Sequence, residues 1–331
     1  MPITSIGAMT LPRALVTAPL RGPALDELRQ LAEVEFDPWI EHRPIKLMRA
    51  EQLADRLRAT GATILICEAD QVAGPVLDLP LVAIGSTRGD PTNVDLAAAT
   101  AAGIPVLHTP GRNADAVAEM TVALLFAVSR HVVPGDRDMR SGTVFGETLP
   151  YQRYRAWQLA GRTIGLVGFG SVGRATAWRM AGLGMKVITS DPFAPDATHA
   201  LDALLAEADV VSMHAAVTPA TVGLIGADQF AAMRAGAIYL NTARAGLHDT
   251  DALVAALASG HLAGAGLDHV NGEVLPRGHP LGAMDNVVLT PHIGGATFDV
   301  EINQAAMIVD DLARVLRGER PSRCANPEVF G

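Results

Sequence analysis

The run Thr163-Ile-Gly-Leu-Val-Gly-Phe-Gly-Ser-Val-Gly-Arg174 constrains this chain more than any other feature. A β-branched and apolar segment carrying Ile164, Leu166 and Val167 stops at Gly168, and Gly168-x-Gly170-x-x-Gly173 follows at once. The residues after it, 175–180, are small and compatible with a helix. Strand, glycine turn, helix is the setting that lifts such a spacing above chance. Gly168 allows the tight turn, Gly170 lets a pyrophosphate approach the backbone, and Gly173 lets the helix pack closely on the strand. The helix N-terminal amides then face the phosphates. A second hydrophobic run, 185–190, ends in Asp191, at about the twenty-residue distance of a ribose-binding acid. A carboxylate there accepts hydrogen bonds from the adenosine ribose diol and repels a 2′-phosphate, so the site reads as NAD rather than NADP. An aspartate that merely starts the turn before Pro192 accounts for neither the spacing nor the glycines.

Around this motif, strands and helices alternate. In the first part, strands are expected at 15–19, 34–36, 62–67, 81–85 and 104–107, with helices over 24–33, 49–59 and 94–102. Asn113 reads as the N-cap of a long helix reaching about residue 130. Residues 134–158 are polar, rich in Gly, Arg and Tyr, and lack clear periodicity; a stretch that long is expected to be functional or to wrap a neighbouring subunit. Alternation resumes with strands at 163–167, 186–189, 210–213, 237–240, 264–267 and 287–289. Helices fit at 201–207, 227–234 and 251–259, and a last one at about 300–316. This pattern predicts an α/β chain with parallel sheets, and 331 residues suffice for two cores. The end of the chain can return to the first domain, though periodicity alone leaves that open.

The formal charge of -9 argues against nucleic acid and against an anionic membrane surface as partners. It leaves room for a small acidic substrate, since local arginines reverse the field. Cys67 and Cys324 form no spaced pair, so neither a disulfide framework nor a Cys/His metal cluster is expected, and no bound metal is expected. The N-terminus lacks a basic segment leading into an apolar one, and no apolar run is long enough to span a bilayer. A cytoplasmic chain is expected.

The residues with chemistry to offer collect after the strands of the second half: the glycine loop, Asp191, His214, Asn241-Thr-Ala-Arg244, Asp268, and Pro291-His292-Ile-Gly-Gly295. Ligands of open parallel sheets lie outside the carboxyl ends of the strands. Arg244, after a small-residue turn, is either a bidentate clamp for a carboxylate or a surface arginine flanking a helix. His292, between Pro291 and Ile-Gly-Gly, is either structural or an acid/base. Glu273 reads by itself as a solvated loop acid; reaching His292, it favours the imidazolium and fixes the tautomer. His269 reads as a lining or packing residue.

Taken together, Val167-Gly-Phe-Gly-Ser-Val-Gly173, Asn241-Thr-Ala-Arg-Ala-Gly-Leu247, Gly266-Leu-Asp268 and Leu289-Thr-Pro-His-Ile-Gly-Gly-Ala-Thr297 resemble the D-isomer-specific 2-hydroxyacid dehydrogenases, over nearly the whole chain. The resemblance implies two doubly wound parallel-sheet domains. One is a flavodoxin-like substrate domain, discontinuous over residues 1–111 and 298–331; the other is a Rossmann NAD-binding domain over 112–297. It implies a cleft between the domains and a homodimer interlocked through an arm at 134–158. Arg244 is implied to bind the substrate carboxylate and carbonyl oxygen, and His292 to be the acid/base with Glu273 as its partner. Ser171, Val172, Asp191, Thr242, Ala243, Asp268 and Gly295 match positions that contact NAD. The implied activity interconverts a 2-oxoacid and a D-2-hydroxyacid; an NAD(H)-sensing, corepressor-like role on the same fold is the alternative. Two departures stand out. The family's aromatic and Glu-Pro after Gly-Leu-Asp read here Asp268-His-Val-Asn-Gly-Glu-Val274, with the proline gone. The substrate loop reads Ser86-Thr-Arg-Gly-Asp-Pro91, with Gly89 and Asp90 at the amide-donating positions and Arg88 added. Arg88 either contacts substrate or pairs with Asp90 to close the turn.

Overall fold

Short aliphatic runs bounded by polar turns become two sheets, both parallel throughout. In the computed structural model, residues 11–145 and 148–331 are described. The chain divides into two units, Met1–Arg112 with Thr297–Gly331, and Asn113–Ala296.

The first unit runs β1 (Arg13–Val16), α1 (Pro23–Leu31), β2 (Glu33–Phe36), α2 (Ala50–Thr60), β3 (Ile64–Cys67), β4 (Ala83–Ser86), α3 (Leu96–Ala101) and β5 (Val106–Leu107). Its strand order is β2-β1-β3-β4-β5, so the winding reverses between β1 and β3. β3 and β4 are buried along their whole length, as expected of strands covered on both faces. On one face Leu15, Leu65 and Ile84 pack with Leu53 and Leu57 of α2. On the other, Val16, Ile64 and Ile66 pack with Leu28 of α1. β1 lies two to three residues nearer the N-terminus than expected, because its register is set by β2 and β3 rather than by the apolar run continuing to Pro19.

The second unit begins with α4 (Ala114–Ser129), α5 (Val132–Ser141) and α6 (Pro150–Arg153), then β6 (Thr163–Val167), α7 (Ser171–Gly182), β7 (Lys186–Ser190), α8 (Leu201–Glu207), β8 (Val210–Met213), α9 (Ala227–Ala232), β9 (Ala237–Asn241), α10 (Thr250–Ala258), β10 (Leu262–Leu267) and β11 (Val287–Leu289). Strand order is β11-β10-β9-β8-β6-β7, which puts the reversal at the end of β6, where the glycine loop leaves the sheet. Leu124, Leu125 and Val128 of α4 and Met180 of α7 cover one face with Ile164, Leu166 and Leu240. Leu204, Phe230, Leu253 and Tyr239 fill the other. Among the described residues no single helix is long and apolar enough to cross a membrane.

One expectation holds in position without its capping bond, and another is corrected. Asn113 occupies the N-cap position of α4, yet its side chain makes no capping bond; its amide lies instead against Gly295, 3.2 Å from where a Cβ would stand. Residues 134–158 are not without regular structure, since α5 and α6 fall there. Only Pro134 and Asp138 of α5 are buried, so it carries no apolar stripe for sequence periodicity to register. Asp138 holds the segment, accepting from Tyr154 Oη at 2.5 Å and pairing with Arg153 at 2.7 Å and Arg137 at 3.1 Å.

The chain then forms α11 (Phe298–Leu316). Thr297 Oγ1 caps it by accepting from Val300 N. Ile308, Val309 and Leu312 sit in the first unit's core beside β1 and β3.

Candidate active site

The glycine spacing is explained by contact. Gly168 turns at φ +96°, and a Cβ there would lie 2.4 Å from Ala215 N. A Cβ on Gly173 would lie 2.3 Å from Gly168 O, so this turn of α7 sits directly on the loop. Around the Cβ position of Gly170 nothing comes within 4 Å; there the loop is open, beside the first-turn amides of α7 at Ser171 and Val172, which helix geometry leaves without an intrahelical acceptor. Asp191 follows β7, where its carboxylate accepts from Phe169 N at 2.7 Å and Phe193 N at 2.8 Å. It is thereby tied to the glycine loop itself. His214 follows β8, its Nε2 on Ser212 Oγ at 2.9 Å and its Nδ1 without a partner among the described residues. Desolvation pushes its pKa down to about 4, so it is neutral at ordinary pH. An open cradle at a helix N-terminus, a fixed carboxylate and a neutral imidazole with a spare nitrogen fit a dinucleotide.

Past β9, Asn241 shapes the Arg244 turn. Its Oδ1 accepts from Ala243 N at 3.0 Å, and its Nδ2 donates to Arg244 O at 2.8 Å and His248 Nδ1 at 3.0 Å. Thr242 Oγ1 meets Thr121 Oγ1 of α4 at 2.9 Å. The exposed Arg244 side chain donates to Ala243 O at 2.7 Å and to His269 Nε2 at 3.5 Å. Thr121 was missed by sequence reasoning, and Asn241, though read as part of the Arg244 motif, was given no role of its own. Asn241 ends a strand just before the arginine, a readable signal; Thr121 lies mid-helix, with none.

Past β10, Asp268 is buried and saturated. It accepts from Thr290 Oγ1 at 2.6 Å, Ile293 N at 2.9 Å and Gly294 N at 2.7 Å, while its carbonyl takes His292 N at 2.9 Å. This carboxylate therefore folds the loop that carries His292. Four bonds hold that residue in the left-handed region at φ 55°, where a non-glycine is uncommon. Glu273 is also left-handed, at φ 60°. Two strained residues are thus brought face to face, with His292 Nδ1 3.0 Å from Glu273 Oε1. The missing proline has not separated them. His269 completes the cluster, its ring centroid 3.7 Å from that of His292. His269, Glu273 and His292 each place one ligand-type atom within 4.8 Å of the others, but the guanidinium on His269 opposes a dication there.

In the first unit, the loop after β4 is held by Ser86 Oγ on Asn93 at 2.9 Å and by His108 Nδ1 on Gly89 O at 2.9 Å. Among the described residues, the Gly89 and Asp90 amides find no acceptor and no ion pair joins Arg88 to Asp90. The turn is not closed by that pair. Cys67, buried at the end of β3, has its thiol pushed up by desolvation, as suits a core residue.

The sequence profile of the D-isomer specific 2-hydroxyacid dehydrogenase, NAD binding domain, matches residues 122–294. A glyoxylate reductase of Thermofilum pendens is 36% identical over 97% of this chain and 96% of its own length. The chain belongs to this family. A glycerate dehydrogenase of Methylorubrum extorquens is 35% identical over 81% of the chain and 87% of its own length. A protein of solved structure from Thermus thermophilus is 41% identical with a TM-score of 0.80, covering 95% of this chain and 99% of that one. The protein is accordingly an NAD-dependent D-2-hydroxyacid dehydrogenase by family, and its two parallel sheets are those of the family fold.

Proposed function

We propose that this dehydrogenase reduces a small 2-oxoacid to the D-2-hydroxyacid with NADH, using Arg244 as carboxylate clamp and His292 as proton donor. The observation that carries this reading is the 3.0 Å contact of His292 Nδ1 with Glu273 Oε1. With Nδ1 committed to the carboxylate, Nε2 is the nitrogen left for a proton in flight. NADH, when bound, supplies the hydride to C2. Gly168, Gly170, Ser171, Val172 and Gly173 would hold its pyrophosphate, and Asp191 its adenosine ribose. His214, Thr242, Ala243 and Gly295 would line the rest of its path, with Asp268 setting the loop behind the nicotinamide. Arg244 binds the substrate carboxylate through parallel charge-assisted bonds and polarises the carbonyl. Protonated His292 gives its proton to the developing alkoxide, and Glu273 holds the ring by its Nδ1.

In the loop after β4, the open amides of Gly89 and Asp90 and the guanidinium of Arg88 suit an anion, and we assign them to the substrate. The arm at 134–158 exposes Met139, Leu149, Tyr151 and Trp157, a surface that supports its use in a homodimer. The names of the relatives favour glyoxylate or hydroxypyruvate among 2-oxoacids. The test is a panel of glyoxylate, hydroxypyruvate, pyruvate and phenylpyruvate with NADH, followed by loss of the reduced-nicotinamide absorbance. One of the first two should give the highest kcat/KM; no turnover with any 2-oxoacid would refute the reading.

A further inference from the structure

We propose that His269 is a positioning residue that links Arg244 to the Glu273–His292 pair and governs how each is presented to substrate. The inference rests on the roles just given to those three. A guanidinium only donates, so the long 3.5 Å approach of Arg244 Nη1 to His269 Nε2 is favourable when that nitrogen carries the lone pair. The single proton of a neutral imidazole then sits on Nδ1. That atom faces Glu273 Oε1 at 3.8 Å, longer than a hydrogen bond but close enough for its N–H dipole to act on the carboxylate. The same oxygen receives His292 Nδ1. One imidazole thus touches the clamp with one nitrogen and the acid/base pair with the other, while its ring backs the ring of His292.

Burial makes this arrangement firm. His269 is 3% exposed, and desolvation first, then His292 and Arg244 as neighbouring cations, hold it down to about 4. The groups facing it are Arg244, Glu273 and His292, with Asp268 next in the chain. Asp268 has its oxygens taken by three other donors, so it does not compete for either nitrogen. A neutral His269 in this tautomer offers its lone pair to Arg244 and turns its N–H toward Glu273. Losing the acceptor frees Arg244 to swing. Losing the donor leaves the Glu273 carboxylate to His292 alone, which favours the imidazolium.

Three variants of the full-length enzyme separate these two functions. His269→Phe keeps the ring and removes both nitrogens. His269→Gln puts an amide oxygen near the place of Nε2, and His269→Asn an amide N–H near the place of Nδ1. The Phe variant should raise KM for the 2-oxoacid about tenfold and move the alkaline limit of reduction to higher pH, with KM for NADH unchanged. Gln should recover KM without the pH limit, and Asn the pH limit without KM. If Phe leaves both unchanged, or all three lower kcat alike with KM and pH profile intact, His269 is packing and the inference falls. Where Phe does not fold, the opposite responses of Gln and Asn decide the matter. His292→Asn, assayed alongside, keeps the two claims apart. Full activity there overturns the proposed mechanism, whereas a dead His292→Asn beside a flat His269 series overturns only this inference.

Discussion

At the residue scale, the histidine–glutamate contact depends on two backbones in an uncommon conformation. Left-handed φ at a non-glycine costs about 1–3 kcal/mol and persists only where surroundings enforce it. For His292 the enforcing group is Asp268, whose oxygens and carbonyl take four donors from the same loop. Strain of this kind is invisible in a sequence, as is the saturation of Asp268. Sequence reading could name Asp268 as a strand-end acid and could not say that it folds a loop. Glu273→Gln should move the alkaline limit of reduction to lower pH, because an amide does not favour the imidazolium as a carboxylate does. A pH–rate profile identical to wild type would show that the 3.0 Å contact does not act in the reaction.

At the element scale, the strands that carry the site were legible because each is a buried aliphatic run ended by a polar residue. β6, β8 and β11 were expected within the bounds they have, and the glycine loop, Asp191, Arg244 and His292 all follow strands of that kind. The arm was not legible, since α5 turns most of its surface outward and gives no periodic signal. The loop after β4 lies between these cases. Its glycine and its position past a strand can be read, whereas the open amides and the absence of an Arg88–Asp90 pair needed coordinates. A charge-assisted bond lost from a substrate site costs about 1.5–3 kcal/mol. Arg88→Met should therefore raise KM for the best 2-oxoacid roughly ten- to a hundredfold, with a larger effect on dianionic oxoacids than on pyruvate. Equal KM values for wild type and variant on every oxoacid would leave Arg88 a turn residue.

At the scale of the whole molecule, the two sheets share one plan, winding outward from a reversal point with helices on both faces. The side chains proposed to act on cofactor and substrate lie in the loops leaving carboxyl strand ends. Several exposed apolar side chains lie on the arm that separates the strands of the two sheets in sequence. Tyr151 is 82% and Trp157 79% exposed, a poor state for an isolated arm and an ordinary one for a surface covered by a second copy. Light scattering should give twice the 34.6 kDa chain mass, and Trp157→Glu should shift that mass toward the monomer. A monomeric wild type at micromolar concentration would remove the dimer from the account.

The most direct test of the central claim is the kcat of His292→Asn for NADH-driven reduction of the best 2-oxoacid, with NADH affinity measured in parallel. Asparagine can still hydrogen-bond to Glu273 but cannot donate a proton as an acid. The account predicts kcat lower by about two orders of magnitude or more, with NADH binding and thermal stability close to wild type. A kcat within a few fold of wild type would contradict it, because the proton would then reach the substrate oxygen by another route.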